Sequence, residues 1–297
     1  MNGIIVIDKE PGFTSFDVVA KMRGICGIKK IGHTGTLDPD ATGVLPICVG
    51  KATKVCGLLT DSNKEYEAVL HLGVTTDTQD LTGTVLSEKE PIKDGETVRE
   101  TILSFVGDIE QIPPMYSALK VEGQKLCDLA RKGITVERRA RKITIYGIDI
   151  VKMELPEVTI RVRCSKGTYI RTLCHDIGEK LGCGGAMAKL RRTKAAGFSL
   201  EDAYTLKEIQ DLKKSGEIEK AIHSIDSVYK EYGEAIVLPE GEKLAINGNK
   251  IPKNMIKIVG EDTKTIRLYM NQGKFVGIFE YEEFCELYKP VRMFLET

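Results

Sequence analysis

Two stretches of this chain alternate between apolar and polar side chains, and that constrains it more than any other feature. Tyr66, Ala68, Leu70 and Leu72 fall on one side of an extended chain, with Glu67, Val69 and His71 on the other. Val158, Ile160, Val162 and Cys164 alternate in the same way with Thr159, Arg161 and Arg163. A period of two means strands with one face buried, so the fold is built on a sheet with a covered side. Gly3 to Ile7 and the isoleucine-rich run Ile143 to Ile150 add two more strands. Helices interrupt them. Thr14 with Asp17 three residues on caps a helix running to Cys26 and Gly27. Leu126, Leu129 and Ala130 have helical spacing ended by Gly133, and Ile170, Leu173, Ile177 and Leu181 form an apolar stripe after the turn Ser165-Lys166-Gly167. Residues 199–225 read as helical and acidic, with a boundary near Tyr229 to Glu234. The tail then offers short runs (Ala235–Leu238, Ile256–Val259, Thr265–Met270, Lys274–Phe279) broken by Gly, Asn and Pro, the pattern of a small β-rich unit. For 297 residues this predicts a mixed fold in two domains.

Several functional classes drop out. Hydrophobic residues make up 42% and charged residues 29%, an ordinary globular composition rather than a disordered one. No stretch approaches the roughly 20 apolar residues of a membrane span. The start, Met1 to Asp8, lacks a basic segment and meets an acid early, unlike a secretory signal, so a cytoplasmic protein is expected. The eight cysteines include no C-x-x-C and the four histidines no H-x-x-x-H, so a metal site is not expected.

Net charge is zero, 43 basic against 43 acidic residues, which by itself argues against a nucleic-acid partner. The distribution argues otherwise. Residues 116–200 hold 18 Lys and Arg against 8 Asp and Glu, leaving 25 against 35 elsewhere. One basic region on an acidic body is the footprint of phosphate binding. Charge alone leaves a solvated basic face equally open.

The stretch from Gly32 to Gly50, rich in Gly, Thr, Asp and Pro, reads as a long ordered loop, and such loops are usually functional. Asp38 and Asp40 flank Pro39 within it. A carboxylate there that faces a pocket is a nucleophile or an acid–base group. Composition alone favours the blander reading, an aspartate capping a turn, and makes His33 a loop hydrogen-bonder.

This stretch, Gly32-His33-Thr34-Gly35-Thr36-Leu37-Asp38-Pro39 through Pro46, resembles the signature of the TruB family of tRNA pseudouridine synthases. So do Gly3 to Lys9 with Pro11-Gly12 and Thr14-Ser15, Lys64-Glu65-Tyr66, and Gly73 to Thr78. Gln111 to Lys120, Gly167-Thr168-Tyr169-Ile170-Arg171 and Leu190-Arg191-Arg192-Thr193 complete the set, in order over about residues 3–200. The resemblance implies an α+β fold: a catalytic domain over 1–230 around a mixed, mainly antiparallel sheet, with a thumb-like insertion at about 118–141. A small β-rich PUA-like domain over 231–297 would follow, matching the family in length and short strands.

It further implies isomerisation of uridine 55 in the tRNA T loop to pseudouridine. No electron is exchanged and no group leaves, so no cofactor is called for. Asp38 matches the family nucleophile, Arg171 its ion-pair partner, and Tyr66 a stacking ring and candidate base, with Asp40 left as scaffold. His33, Tyr169 and Leu190 match residues around the flipped base. The RNA backbone would be held by Lys120, Lys125, Arg131, Lys132, Arg138, Arg139, Arg141 and Lys142. The partner is then the tRNA T-loop stem, with no membrane involved and a monomer expected. Two rivals are a guide-RNA-dependent relative with the same catalytic loop and an RNA-binding folding helper.

Overall fold

The computed structural model describes residues 1–295. Its main sheet takes strands from both ends of the first 204 residues: β1 (Gly3–Lys9), β2 (Ile31–His33), β3 (Thr42–Val49) and β4 (Lys64–Leu72). A hairpin of β5 (Val74–Thr76) and β6 (Val85–Glu88) precedes β7 (Gly107–Gln111), and a second of β8 (Lys120–Val121) and β9 (Gln124–Lys125) follows it. Next come β10 (Arg141–Glu154), β11 (Glu157–Cys164), β12 (Gly185–Ala195), β13 (Phe198–Ser199) and β14 (Ala203–Tyr204). The order across the sheet is β14-β1-β3-β12-β4-β11-β10-β7, with β2 beside β3 and β13 beside β12. Two pairs, β1 with β14 and β3 with β12, are parallel; the others are antiparallel.

The two alternating stretches become neighbours, β4 and β11, with Tyr66 opposite Val162 and Ala68 opposite Ile160. Their apolar faces are buried together. On the reverse face Arg161 lies 3.4 Å from Glu67, so part of the basic excess is neutralised within the sheet. Helices α1 (Ser15–Cys26), α3 (Gly95–Leu103), α5 (Ile170–Leu181) and α6 (Leu206–Lys214) bury their apolar residues in the core on which this face rests, and the short α2 (Cys56–Thr60) and α4 (Leu126–Ala130) fill connections. The capping box predicted for α1 is present, with Asp17 accepting from the Thr14 N–H at 2.8 Å, and Gly27 ends the helix at φ 69°.

One expectation needs correcting. Gly32 to Gly50 is not one long loop: β2 and β3 occupy its ends, and residues 34–41 lie between them. Gly43 and Pro46 look like strand breakers, yet both sit inside β3. Gly43 takes φ 102°, and a Cβ there would lie 2.2 Å from the Arg192 carbonyl, so only glycine lets β3 pass this close to β12.

The tail forms a six-stranded sheet from β15 (Gly233–Val237), β16 (Ile251–Pro252), β17 (Ile256–Val259), β18 (Thr265–Tyr269), β19 (Phe275–Glu282) and β20 (Leu287–Met293), with the one-turn α7 (Glu242–Ile246). The junction near residue 230 is packed rather than an open linker. Tyr229 stacks on Tyr232, and Phe275 on Phe294, inside a core shared with Ile4, Val6 and Val44.

Candidate active site

The β2–β3 connection is fastened from below by the β1–α1 turn. Lys9, fully buried, donates its ammonium to the carbonyls of Pro39 (2.7 Å), Phe13 (2.6 Å) and Glu10 (3.0 Å). The Gly12 N–H reaches the same Pro39 carbonyl at 3.0 Å, and the Ser15 hydroxyl accepts from the Leu37 N–H at 2.9 Å. These contacts explain the chemistry of the N-terminal motif: it clamps the two residues flanking Asp38. Burial pushes the Lys9 amine down, while Asp40 and Asp38 pull it back up.

Asp38 projects from this clamp into a cleft of about 480 Å³. The first turn of α5 brings Arg171 to it, Nε to Oδ2 at 2.9 Å and Nη2 to Oδ1 at 3.2 Å, a two-pronged ion pair. The Arg171 side chain is 6% exposed. Its remaining donors go to the Tyr116 carbonyl at 2.7 Å and the Thr78 carbonyl at 3.1 Å, and the Asp80 carboxylate lies 3.7 Å away. Burial pushes the Asp38 carboxyl above its usual range; Arg171 opposes that shift and the Asp80 charge adds to it. The guanidinium therefore keeps the carboxylate from rising further and fixes its direction.

Tyr66, 9% exposed on β4, and Leu190 on β12 line the same cleft, as do His33 and Tyr169. Burial pushes the Tyr66 phenol up, against the pull of the Arg192 charge, so the side chain stands in the cleft as a neutral phenol. Burial likewise pushes the His33 imidazole down, leaving it uncharged and suited to stacking. The six predicted site residues, Asp38 included, thus share one cavity, although they are drawn from four separate segments.

Among the lining residues that the sequence reading did not assign to the site are Arg192, Lys64 and Ser117. Arg192 is 1% exposed and donates to the Val44 carbonyl at 2.7 Å, tying β12 to β3 beneath the cleft. Lys64 donates to the carbonyls of Thr60 and Ser62, each at 2.5 Å, and burial pushes its amine down to about 8. Ser117 lines the wall next to Tyr169. Arg192 and Lys64 stand inside motifs that were quoted, but no spacing distinguishes a buried cation from a surface one.

The predicted RNA-backbone residues do not behave alike. Lys120, Lys125, Arg131, Lys132, Arg139, Arg141 and Lys142 are exposed. Arg131 lies 3.5 Å from Asp128. Arg138 is half-buried instead, donating to the Pro113 carbonyl at 3.1 Å with its Nε buried, so part of its guanidinium braces the segment. Among the described residues no group of three or more His, Cys, Asp or Glu side chains is placed to hold a metal ion, and all eight cysteines are free. No helix among them is long and apolar enough to cross a membrane.

Comparison with known proteins agrees with this geometry. Residues 23–170 match the family model described as TruB family pseudouridylate synthase (N terminal domain), and residues 171–230 match that of the tRNA pseudouridylate synthase B C-terminal domain. The chain is 49% identical to tRNA pseudouridine synthase B of Lachnoclostridium phytofermentans and 47% identical to that of Clostridium kluyveri, covering 99% of this chain and 100% of each relative. Among solved structures it is similar to a chain of a Cbf5-Nop10-Gar1 complex, at 28% identity and TM-score 0.71 over 99% of this chain and 84% of that one. A chain of an H/ACA RNP bound to a substrate RNA containing 2'-deoxyuridine aligns at 25% identity and TM-score 0.72, over 99% of this chain and 85% of that one. In sequence along its whole length and in fold, the chain belongs to the TruB family of pseudouridylate synthases.

Proposed function

We propose that this protein binds tRNA and isomerises the uridine at position 55 of the T loop to pseudouridine, acting alone. The observation that carries the reading is the Asp38 carboxylate, gripped by Arg171 at 2.9 and 3.2 Å in a cleft that also presents Tyr66 and Leu190. The glycosidic bond breaks, the uracil turns, and a carbon–carbon bond forms to the same ribose. Attack of a carboxylate on C1′ and removal of the 2′ hydrogen to form a glycal both require Asp38 ionised, which is what Arg171 favours. Tyr66 stacks on the uracil, Leu190 and Tyr169 bound its pocket, and His33 fills space near the base that leaves its stack.

Residues 118–141, the β8–β9 hairpin with α4, serve as a thumb on the T-loop stem. Their exposed lysines and arginines, with Lys142 beyond them, meet phosphates rather than base edges. Lys132→Ala with Arg139→Ala is expected to weaken binding and to lower the slope of log affinity against log salt by about 0.7–0.9 per lost contact. An unchanged slope, measured by filter binding from low to physiological salt, would remove the thumb from the RNA interface. The six-stranded tail sheet is assigned a supporting contact to the same tRNA.

A guide-dependent reading has one observation in its favour, the structural likeness to chains from H/ACA particles. Identity favours the stand-alone reading: it is 25–28% to those chains, against 47–49% to full-length proteins named tRNA pseudouridine synthase B. The test is pseudouridine mapping of an unmodified tRNA transcript incubated with the purified protein and no other RNA. Product at the T-loop uridine is expected. Bound but unconverted tRNA would transfer the case to the guide-dependent or folding-helper reading.

A further inference from the structure

Ser117 stands at the root of the 118–141 segment and is held from both sides. Its N–H donates to the Met115 carbonyl at 2.9 Å, and its carbonyl accepts from the Cys127 N–H at 3.0 Å. The residue is 5% exposed and lines the cleft. Its hydroxyl has no hydrogen-bond partner. The Tyr169 phenol is its neighbour, and the Ser117 hydroxyl pulls that phenol down against the effect of burial, but the two make no hydrogen bond of regular geometry. Other polar groups on this wall are satisfied: Gln111 makes two bonds to the Tyr169 backbone, and the Arg171 guanidinium is fully engaged.

Buried hydroxyls are almost always paired, because one stripped of water and given no partner is a net cost to the fold. A cost of this kind is retained where a ligand completes the bond. The direction of approach identifies the ligand atom. Tyr66 and Leu190, which take the base, come from β4 and β12, and Asp38 addresses the sugar carbon. Ser117 reaches the cleft with Tyr169 from the wall that leads into α5 and the thumb, where a nucleotide so placed presents its sugar–phosphate oxygens.

We infer that Ser117 Oγ is a substrate-contacting group that hydrogen-bonds a sugar–phosphate oxygen of the flipped uridine, either the 2′-hydroxyl or the adjoining phosphate. The inference rests on the uridine-isomerising reading above. The test is a binding cycle in the full-length Asp38→Asn protein, which is expected to hold RNA without turnover, with and without Ser117→Ala. Three T-arm hairpins are compared: unmodified, 2′-deoxyuridine at the target, and a methylphosphonate at the phosphate 5′ to it.

Ser117→Ala is expected to weaken the unmodified hairpin by about tenfold, equivalent to about 1.4 kcal/mol. The loss should disappear with the one modified hairpin that lacks the contacted oxygen, which identifies that oxygen. Equal weakening of all three hairpins, or of none, overturns the inference. The melting temperature of Ser117→Ala is expected to match or exceed that of the parent, since an unpaired buried hydroxyl is removed. A lower melting temperature marks a bond within the protein and overturns the inference as well. Failure of the unsubstituted protein to convert the unmodified hairpin strikes instead at the functional reading itself.

Discussion

Asp38→Asn is expected to abolish pseudouridine formation, by about 10⁴-fold or more in single-turnover rate, while tRNA affinity stays within about tenfold, or 1.4 kcal/mol. Asparagine has nearly the same shape and keeps one oxygen to accept from the Arg171 guanidinium, in place of the two carboxylate oxygens at 2.9 and 3.2 Å. The neutral amide is neither a nucleophile toward the sugar nor a base for its hydrogens. On the proposed function, affinity comes from a wide RNA contact that this substitution leaves alone. Rapid-quench pseudouridine mapping and filter binding on the same transcript measure the two quantities separately. Product at the parent rate would remove Asp38 from the chemistry, and a loss of binding in step with activity would make it a structural residue.

Arg171→Lys is the second large effect. Lysine keeps the charge but cannot offer two parallel donors, nor serve the Tyr116 and Thr78 carbonyls at the same time. A fall of about 10²–10³ in rate is expected, the range typical for loss of one well-placed electrostatic contact. The pH dependence carries the sign. Burial already pushes the Asp38 carboxyl up and Arg171 restrains it, so a poorer partner lets it rise further. Activity requires the ionised form and is lost as pH falls through the Asp38 pKa. In the variant that loss begins at higher pH, and raising the pH restores part of the rate. A single-turnover pH profile with an unmoved acid limb would show that Arg171 only holds the fold.

How much of this was legible beforehand differs from residue to residue. The alternation of residues 66–72 and 158–164 announced two strands, and β4 and β11 bury the predicted faces. The Thr14–Asp17 cap, the stripe of α5 and four of the tail strands follow from equally local signals. Glycine and proline misled the reading of Gly32 to Gly50, because their meaning there is tertiary: Gly43 is needed by the approach of Arg192 on β12, not by a turn. Local sequence likewise does not show that Arg138 folds back onto Pro113 or that Arg161 faces Glu67.

From its residues alone this chain declared a mixed fold of helices and strands, its helix caps, its half-buried strands and, through the ordered motifs around Asp38, a resemblance to its family and to that family's α+β class. Those properties are local, set by periodicity, capping chemistry and motif order. Only the tertiary structure decided that Lys9 clamps Pro39, that Arg171 meets Asp38 across 133 positions of sequence, and that the Ser117 hydroxyl is left without a partner in the cleft. Burial and the partnering of charges depend on which strands become neighbours, and that choice is made by packing of the whole sheet rather than by any one segment of it.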